Sequence, residues 1–455
     1  MMNIVIVGGG ELGRHVAAIL SKEKHNIVLI DKDPKVIQSI SSNMDVATRV
    51  GLGTDWELLE DLLEFSPNLF IALTGDDEAN LVACSLAKQL QYPRTVCRIR
   101  NNIYLNSSRL DFSRIFDVDY FISPELLSAH DIVKNIINPE AIFVEHFAHG
   151  ALQLRTILIP KTWRAPRDTS LRNLDLPQNV IVSLIRRDTT VKDIPTKKVI
   201  FPHGDDEILP GDEVTFIGES SVISGIHRYF GINEKEIKSI VIAGGSLTAI
   251  NVAKLLEDRT IDVTIIEKDY DKCCYLADRL PHCTIIQHDA TDLEFLRSEK
   301  IGQTDLLIGC TQHDEINLLV ASLGKEIGCE DVLVMLNNIH YMPMAQRLGA
   351  KNTVAPHITA TNHILSQLFA GKVTSLISLY ENQAEIIEIS VSLSSRVVGI
   401  PLSELGPYLP RDLLIVMIQN RGRIMIANGN RIISPGDTVI VVTSPQHVDD
   451  LSRIF

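Results

Sequence analysis

Residues 4–13 read IVIVGGGELG. Four apolar residues run straight into Gly8-x-Gly10-x-x-Gly13, and an amphipathic segment follows from Glu11 to Leu20. This is the pattern of a buried strand, a tight glycine turn and the first turn of a helix. Gly8 permits the turn, Gly10 lets main chain approach a pyrophosphate, and Gly13 lets the helix pack on the sheet. The positive end of the helix faces the same place. Asp31 stands 18 residues after Gly13, closing a second apolar run, NIVLID. A carboxylate there accepts two ribose hydroxyls and repels a 2′-phosphate, which favours NAD over NADP. ATP and ADP carry the same free hydroxyl and are not separated from NAD by it. The alternative for Asp31 is a helix-capping or loop acid.

The motif has a second, altered copy. SIVIAGGSLTA at 239–249 repeats the opening, with Gly244 and Gly245 retained, Ser246 at the place of Gly10, Leu247 at that of Glu11 and Ala249 at that of Gly13. Glu267 repeats Asp31, and HDATDLEFL (288–296) repeats GLGTDWELL (51–59), placing Asp289 where the first copy has Leu52. TGDDEANLVACSLAK (74–88) recurs as TQHDEINLLVASLGK (311–325), and ISPELLSAHDI (122–132) as VAPHITATNHI (354–364). Repeats in one order indicate duplication.

Strands are expected at 3–7, 26–31, 46–50, 70–75, 95–100 and 120–123, with helical patterns between, and again through the second copy. Strands alternating with helices mean a parallel, doubly wound sheet. Between and after the copies the pattern changes to short strands broken by proline and glycine, as in LQLRTILIP, NVIVSLIRRD and DEVTFIG, and again in AEIIEISVS, LLIVMIQNRG and DTVIVVT. Each set reads as a small α+β domain, with joints near 140–148, 231–238 and 370–382. The fold class is therefore α/β: two doubly wound Rossmann-like parallel-sheet domains, each followed by a small α+β lobe.

In open parallel sheets ligands sit beyond the carboxyl ends of the strands. That edge makes Gly8, Gly10 and Gly13 candidates, with Asp31, Gly51, Thr74 and Gly75. Gly51 and Gly53 read equally well as plain turn glycines. Arg98 and Arg100 alternate in a strand; one suits phosphate, the other an ion pair. In the second copy the candidates are Gly244, Gly245, Ser246, Leu247, Glu267 and Asp289. Ser246 puts a side chain where close backbone approach is wanted, so a purely structural turn competes with a second binding site.

Composition excludes several classes. The 455 residues carry a formal charge of −14, against the basic footprint of a general nucleic-acid binder and against charge-driven adhesion to anionic lipid. No apolar run reaches the roughly 18 residues needed to span a bilayer, so direct membrane insertion is not expected. MMNIVIVGGG lacks the basic region and cleavage site of a signal peptide. The seven cysteines form no C-x-x-C; Cys84, Cys97 and Cys310 read as small packed thiols, and Cys273, Cys274 and Cys283, which could suggest a metal, read better as buried thiols of a cytoplasmic protein. His203-x-Asp205-Asp206-Glu207 resembles a metal cluster, yet fits a solvated turn better, and no metal site is expected. Neither H-E-x-x-H nor G-x-S-x-G occurs, so no catalytic residues are assigned. A nicotinamide-dependent oxidoreductase is the competing function; segments of about 80 residues leave little room for its substrate domain.

Taken together, IVIVGGGELG with Asp31, ALTGDDEANLVACSLAK, RIRN (98–101), ISPE (122–125), TQHDEINLLVASLGK, SSRVVGIPLSEL (394–405) and RIMIANGNRIISPGD (423–437) closely resemble the bacterial TrkA family of potassium-uptake regulators. The resemblance spans nearly the whole chain. Members of that family carry two tandem regulator-of-K⁺-conductance (RCK) units, each with an N lobe and a C lobe. On that plan the chain divides into N lobe 1–140, C lobe 141–230, N lobe 238–370 and C lobe 371–455. The resemblance implies a non-catalytic subunit that binds NAD(H), and ATP or ADP as further candidates. It implies a homotetrameric ring on the cytoplasmic face of a membrane K⁺-translocating subunit of the TrkH/TrkG type. By position, Gly8 to Leu12, Asp31, Gly51, Thr74, Gly75 and Arg98 correspond to ligands of the first site. Gly244 to Leu247, Glu267 and Asp289 correspond to the second.

Overall fold

The computed structural model describes residues 2–105, 109–164, 170–191, 194–233, 236–368, 373–380, 383–393, 395–420 and 423–455. The first apolar runs form strands β1 (Asn3–Val7), β2 (Asn26–Asp31), β3 (Ala47–Val50), β4 (Leu69–Ala72), β5 (Thr95–Arg98) and β6 (Tyr120–Ile122). They make one parallel sheet in the order β3-β2-β1-β4-β5-β6. Ile4, Val5 and Ile6 are fully buried, as a strand covered by helices on both faces requires. The helix Glu11–Lys22 buries Leu12, Val16, Ala17 and Leu20, one stripe at helical spacing. The strand order reverses between β1 and β4, which opens a crevice above the glycine turn.

An antiparallel sheet follows: β7 (Phe143–Phe147), β8 (Leu152–Leu158), β9 (Val180–Val191), β10 (Ile194–Ile200) and β11 (Glu213–Glu219), in the order β10-β9-β11-β8-β7. The second copy repeats the parallel sheet as β12 (Ser239–Ala243), β13 (Asp262–Glu267), β14 (Thr284–Gln287), β15 (Leu306–Gly309), β16 (Asp331–Met335) and β17 (Asn352–Val354), ordered β14-β13-β12-β15-β16-β17. A last antiparallel sheet comprises β18 (Val373–Leu379), β19 (Ala384–Ser390), β20 (Leu413–Asn420), β21 (Arg423–Ile426) and β22 (Thr438–Thr443), ordered β18-β19-β22-β20-β21.

Like associates with like. One compact unit joins Met1–Val133 to Lys238–Ile364, which holds both parallel sheets; the other joins Lys134–Ile237 to Leu365–Phe455, which holds both small sheets. In the second unit a common core takes Phe147, Leu154 and Leu184 from one sheet and Ile386, Val416 and Val442 from the other. Across it, the hydroxyls of Thr215 and Tyr380 lie 2.7 Å apart.

Two expected joints contain strands. β7 lies within 140–148 and β18 within 370–382, of which residues 370–372 and 381–382 are outside the described set. Both are edge strands, paired on one side only. FVEHF mixes charge into its apolar run because an edge is half solvated, and that hides it from pattern reading. Strands β4 and β5 also end early: Thr74, Gly75 and Arg100 lie in the loops beyond them. Of the cysteines, Cys274 is exposed and Cys283 half-buried, while Cys84, Cys97, Cys273, Cys310 and Cys329 are buried.

Candidate functional site

The first turn is shaped by contacts a side chain would break. Gly8 adopts φ +102°, and a Cβ there would stand 2.9 Å from the backbone of Leu73 and Thr74. A Cβ on Gly13 would overlap the Gly8 carbonyl oxygen. The reading of these two glycines thus holds, one for the turn and one for packing. Gly10 differs: its backbone is extended, and a Cβ would meet nothing within 4 Å. Open space therefore lies above it. Gly10 is also the N-cap of the helix Glu11–Lys22, and no side chain caps that end. Its first amides, from Glu11, Leu12 and Gly13, remain for solvent or a ligand.

Asp31 is placed by the turn it serves. Its Oδ2 accepts from Gly9 N at 2.6 Å and its Oδ1 from Asp33 N at 2.8 Å. The carboxylate is thus fixed at the end of β2, beside the turn, by two main-chain bonds. Gly51 N donates to Asp31 O at 3.0 Å, and a Cβ on Gly51 would run into Leu58, so this glycine is a packing residue at the same edge. Gly53 likewise packs on Val7.

Thr74 is engaged by Asn80, which sequence reading passed over. Asn80 is fully buried. Its Oδ1 accepts from Thr74 N at 3.0 Å and Thr74 Oγ1 at 2.7 Å, and its Nδ2 donates to Thr74 O and Arg98 O, both at 3.1 Å. Asp77 accepts from Arg100 N and Asn101 N. The acidic block after β4 is thus a clamp that ties the β4 and β5 loops together, while Gly75, exposed with no contact for a Cβ, faces open space. Arg98 does not stand free for phosphate: its Nη2 lies 3.0 Å from Glu125 Oε1, and Arg100 Nε lies 3.4 Å from the same oxygen.

The second copy keeps the frame and alters the turn. Gly244 adopts φ +104°. Gly245 N donates to Glu267 Oε2 at 2.8 Å, so the longer acid makes the bond that Asp31 makes. Asn317 and Asp314 repeat the clamp on Thr311 and on the Asn337 and Asn338 amides. Ser246, however, folds its hydroxyl back on the helix Leu247–Leu255 and accepts from Ala249 N at 3.2 Å. Cys310 Sγ lies 3.3 Å from the same hydroxyl, and burial pushes that thiol up to about 11. Asp289 accepts from the hydroxyl and amide of Thr291 and pairs with Lys268 at 3.0 Å; these contacts hold its carboxyl down at about 2.

Within the unit of parallel sheets, a cleft of about 860 Å³ brings Gly75 of the first site together with Leu247 of the second. Asn102 Nδ2 bridges the two lobes there, donating to Asn251 Oδ1 at 2.7 Å. His203 and Asp206, suspected on paper as metal ligands, instead close a turn, with His203 N donating to Asp206 Oδ2 at 2.7 Å. No group of three metal-ligating side chains comes together among the described residues.

Comparison with known proteins agrees with this architecture. The TrkA-N domain family matches residues 4–124 and 240–356, and the TrkA-C domain family matches 167–231 and 386–455. The chain is 29% identical to the Trk system potassium uptake protein TrkA homolog 1 of Methanosarcina mazei over the full length of both. It is 29% identical to the Trk system potassium uptake protein TrkA of Haemophilus influenzae, over all of this chain and 98% of that one. Among solved structures it is similar to the GsuK channel bound to NAD, with TM-score 0.61 and 15% identity over all of this chain and 78% of that one. The GsuK structure bound to ADP gives TM-score 0.52 at 12% identity, over 81% and 69%. At such identities the likeness concerns the fold. The family matches cover both halves of the duplication, and the chain belongs to the TrkA family of Trk-system potassium-uptake proteins.

Proposed function

We propose that the chain is the nucleotide-sensing subunit of a Trk-type potassium uptake system and gates a membrane K⁺-translocating subunit of the TrkH/TrkG type. The TrkA family is one of regulators and not of enzymes, which sets aside the oxidoreductase. The observation that carries nucleotide sensing is the uncapped turn at Gly10, with Asp31 locked beside it and open space above. A diphosphate bonds to the free amides at the positive helix end, and a ribose lies against Asp31. NAD(H) fits this description, and so do ATP and ADP; the similar GsuK structures hold NAD and ADP. Gly8 to Gly13, Asp31 and Gly75 form the first site. Thr74, Gly51 and Arg98 support it through the clamp, the strand edge and Glu125. The second site, Gly244 to Leu247 with Glu267 and Asp289, is held shut by its own serine.

Ligand affects the transporter only if it binds one arrangement of the regulator more tightly than another. A coupling of about 1–3 kcal/mol shifts the partner 5–150-fold. No described helix is long and apolar enough to cross a membrane, so attachment at the inner face runs through protein contacts in a homotetrameric ring. Calorimetric titration of the full chain with NAD⁺, NADH, ATP and ADP tests the reading. One site per chain is expected, with no NADH consumed; absence of binding by all four refutes it.

A further inference from the structure

Glu11 begins the helix at the first glycine turn, yet its carboxylate meets the other nucleotide-type lobe. Its Oε2 lies 3.2 Å from Nε2 of His357, the second residue of helix Pro356–Leu368. The imidazole is largely buried, at 16% exposure, against 78% for Glu11, and its Nδ1 is buried without a partner. One turn along the first helix stands His15, whose Nε2 is likewise buried and unpartnered. Burial, then the nearness of His357 and of Lys22, lowers its pKa.

The groups facing His357 from helix Glu11–Lys22 are therefore Glu11 and His15, with Lys22 acting on His15 from farther along. On its own helix stands His363, whose pKa burial lowers. Helix Pro124–Ile137 packs against the same helix through Asp131, which accepts from Thr359 Oγ1 at 2.8 Å, and it also carries His130. Arg14 is turned away, donating to Gly9 O at 2.8 Å and Ser39 Oγ at 3.2 Å. The cross-lobe pair is no plain product of duplication. The repeat places Glu125 where the second copy has His357, and Glu125 faces arginines of its own lobe.

We propose that the second nucleotide-type lobe completes the first site, with His357 as a positioning residue that neutralises Glu11 and makes the binding of a phosphate-bearing ligand proton-linked. This rests on the first turn taking a nucleotide. A diphosphate over Gly10 sits beside the Glu11 carboxylate. With a neutral imidazole that carboxylate repels it; with a protonated imidazole the repulsion is cancelled. By reciprocity the phosphate charge favours the protonated ring, so binding takes up a proton. Affinity therefore falls as pH rises and the ring gives up its proton.

The test is calorimetry on the full chain with NADH and with ADP near pH 6 and near pH 8, each in two buffers of different ionisation enthalpy. Wild type is expected to bind about fivefold more tightly at the lower pH, the low end of usual coupling, with net proton uptake. His357→Gln and Glu11→Gln both lose the pH dependence, and Glu11→Gln binds at high pH as wild type does at low pH. Binding with equal affinity at both pH values and no proton uptake overturns the inference and leaves the first site standing. No binding at either pH overturns both. Should His357→Gln lose its helical circular dichroism, Glu11→Gln decides alone, because its side chain is mostly in solvent; a pH dependence surviving in it refutes the proposal.

Discussion

Gly10→Ala separates a ligand-binding turn from a merely structural one. The backbone at Gly10 is one alanine adopts without strain, with φ −66° and ψ −175°, and the new methyl meets no atom within 4 Å. Stability should change only by the poorer N-capping of alanine, about 1 kcal/mol or less. The methyl instead occupies the space through which a pyrophosphate reaches the helix amides. Losing one hydrogen bond to a charged group costs about 1.5–3 kcal/mol, or about ten- to a hundredfold in Kd. Titration calorimetry and thermal melting on the same sample read both quantities. Gly13→Ala supplies the contrast: its methyl would strike the Gly8 carbonyl oxygen, so melting temperature falls first. If Gly10→Ala bound NADH and ADP as wild type does, no phosphate would approach that turn, and the sensing argument would fail.

Ser246→Gly removes the hydroxyl cap on Ala249 N at a cost of a few tenths of a kcal/mol, and calorimetry should then count a second nucleotide per chain; a count that stays at one would place the block elsewhere. Asn80→Ala leaves several buried partners of Thr74 and Arg98 unbonded and should cost about 3 kcal/mol in urea unfolding, as should Asn317→Ala; a loss below about 1 kcal/mol in both would show that the clamp does not hold the loops. For Asp289 the folded carboxyl sits at about 2, below its ordinary value, through Thr291 and then Lys268. Its contribution is whole above about pH 4 and disappears as pH falls toward 2. The gap in urea midpoint between wild type and Asp289→Asn should close over that range, and a gap constant down to pH 2 would contradict the contacts.

The parallel sheets were legible because burial on both faces demands long apolar runs, and because glycine turns are dictated by contacts such as Gly13 on Gly8. The small sheets were legible except at two edge strands, β18 and β7, the latter with charge mixed into its apolar run. Site residues were harder to read. Thr74 and Arg98 have the chemistry of ligands, but a sequence does not disclose that Asn80 and Glu125 already hold them. Asn80 itself left a signal in its recurrence as Asn317 within two acidic blocks, which pointed to a shared structural duty. Nothing local could have paired Glu11 with His357 across 346 residues, since that contact arises only when the two lobes share one unit.

The two copies agree where they hold the sheet edge together and differ where a ligand would arrive. Gly8 and Gly244 share one backbone conformation, Asp31 and Glu267 bind the same amide, and Asn80 and Asn317 make the same clamp. Gly10 becomes Ser246, Glu11 becomes Leu247, and Leu52 becomes Asp289. At the second turn a ligand must displace a hydroxyl already on Ala249 N, so it exchanges one bond for another. At the first turn no side chain caps the helix end, and a ligand there would bring its charge near the Glu11–His357 pair. A ligand shifts two conformations only by its differential affinity for them, whether through contacts, strain or charge. On the reading proposed above, the asymmetry would put the responsive half of the chain at Gly8–Gly13, with the second lobe taking part through its contact from His357 to Glu11.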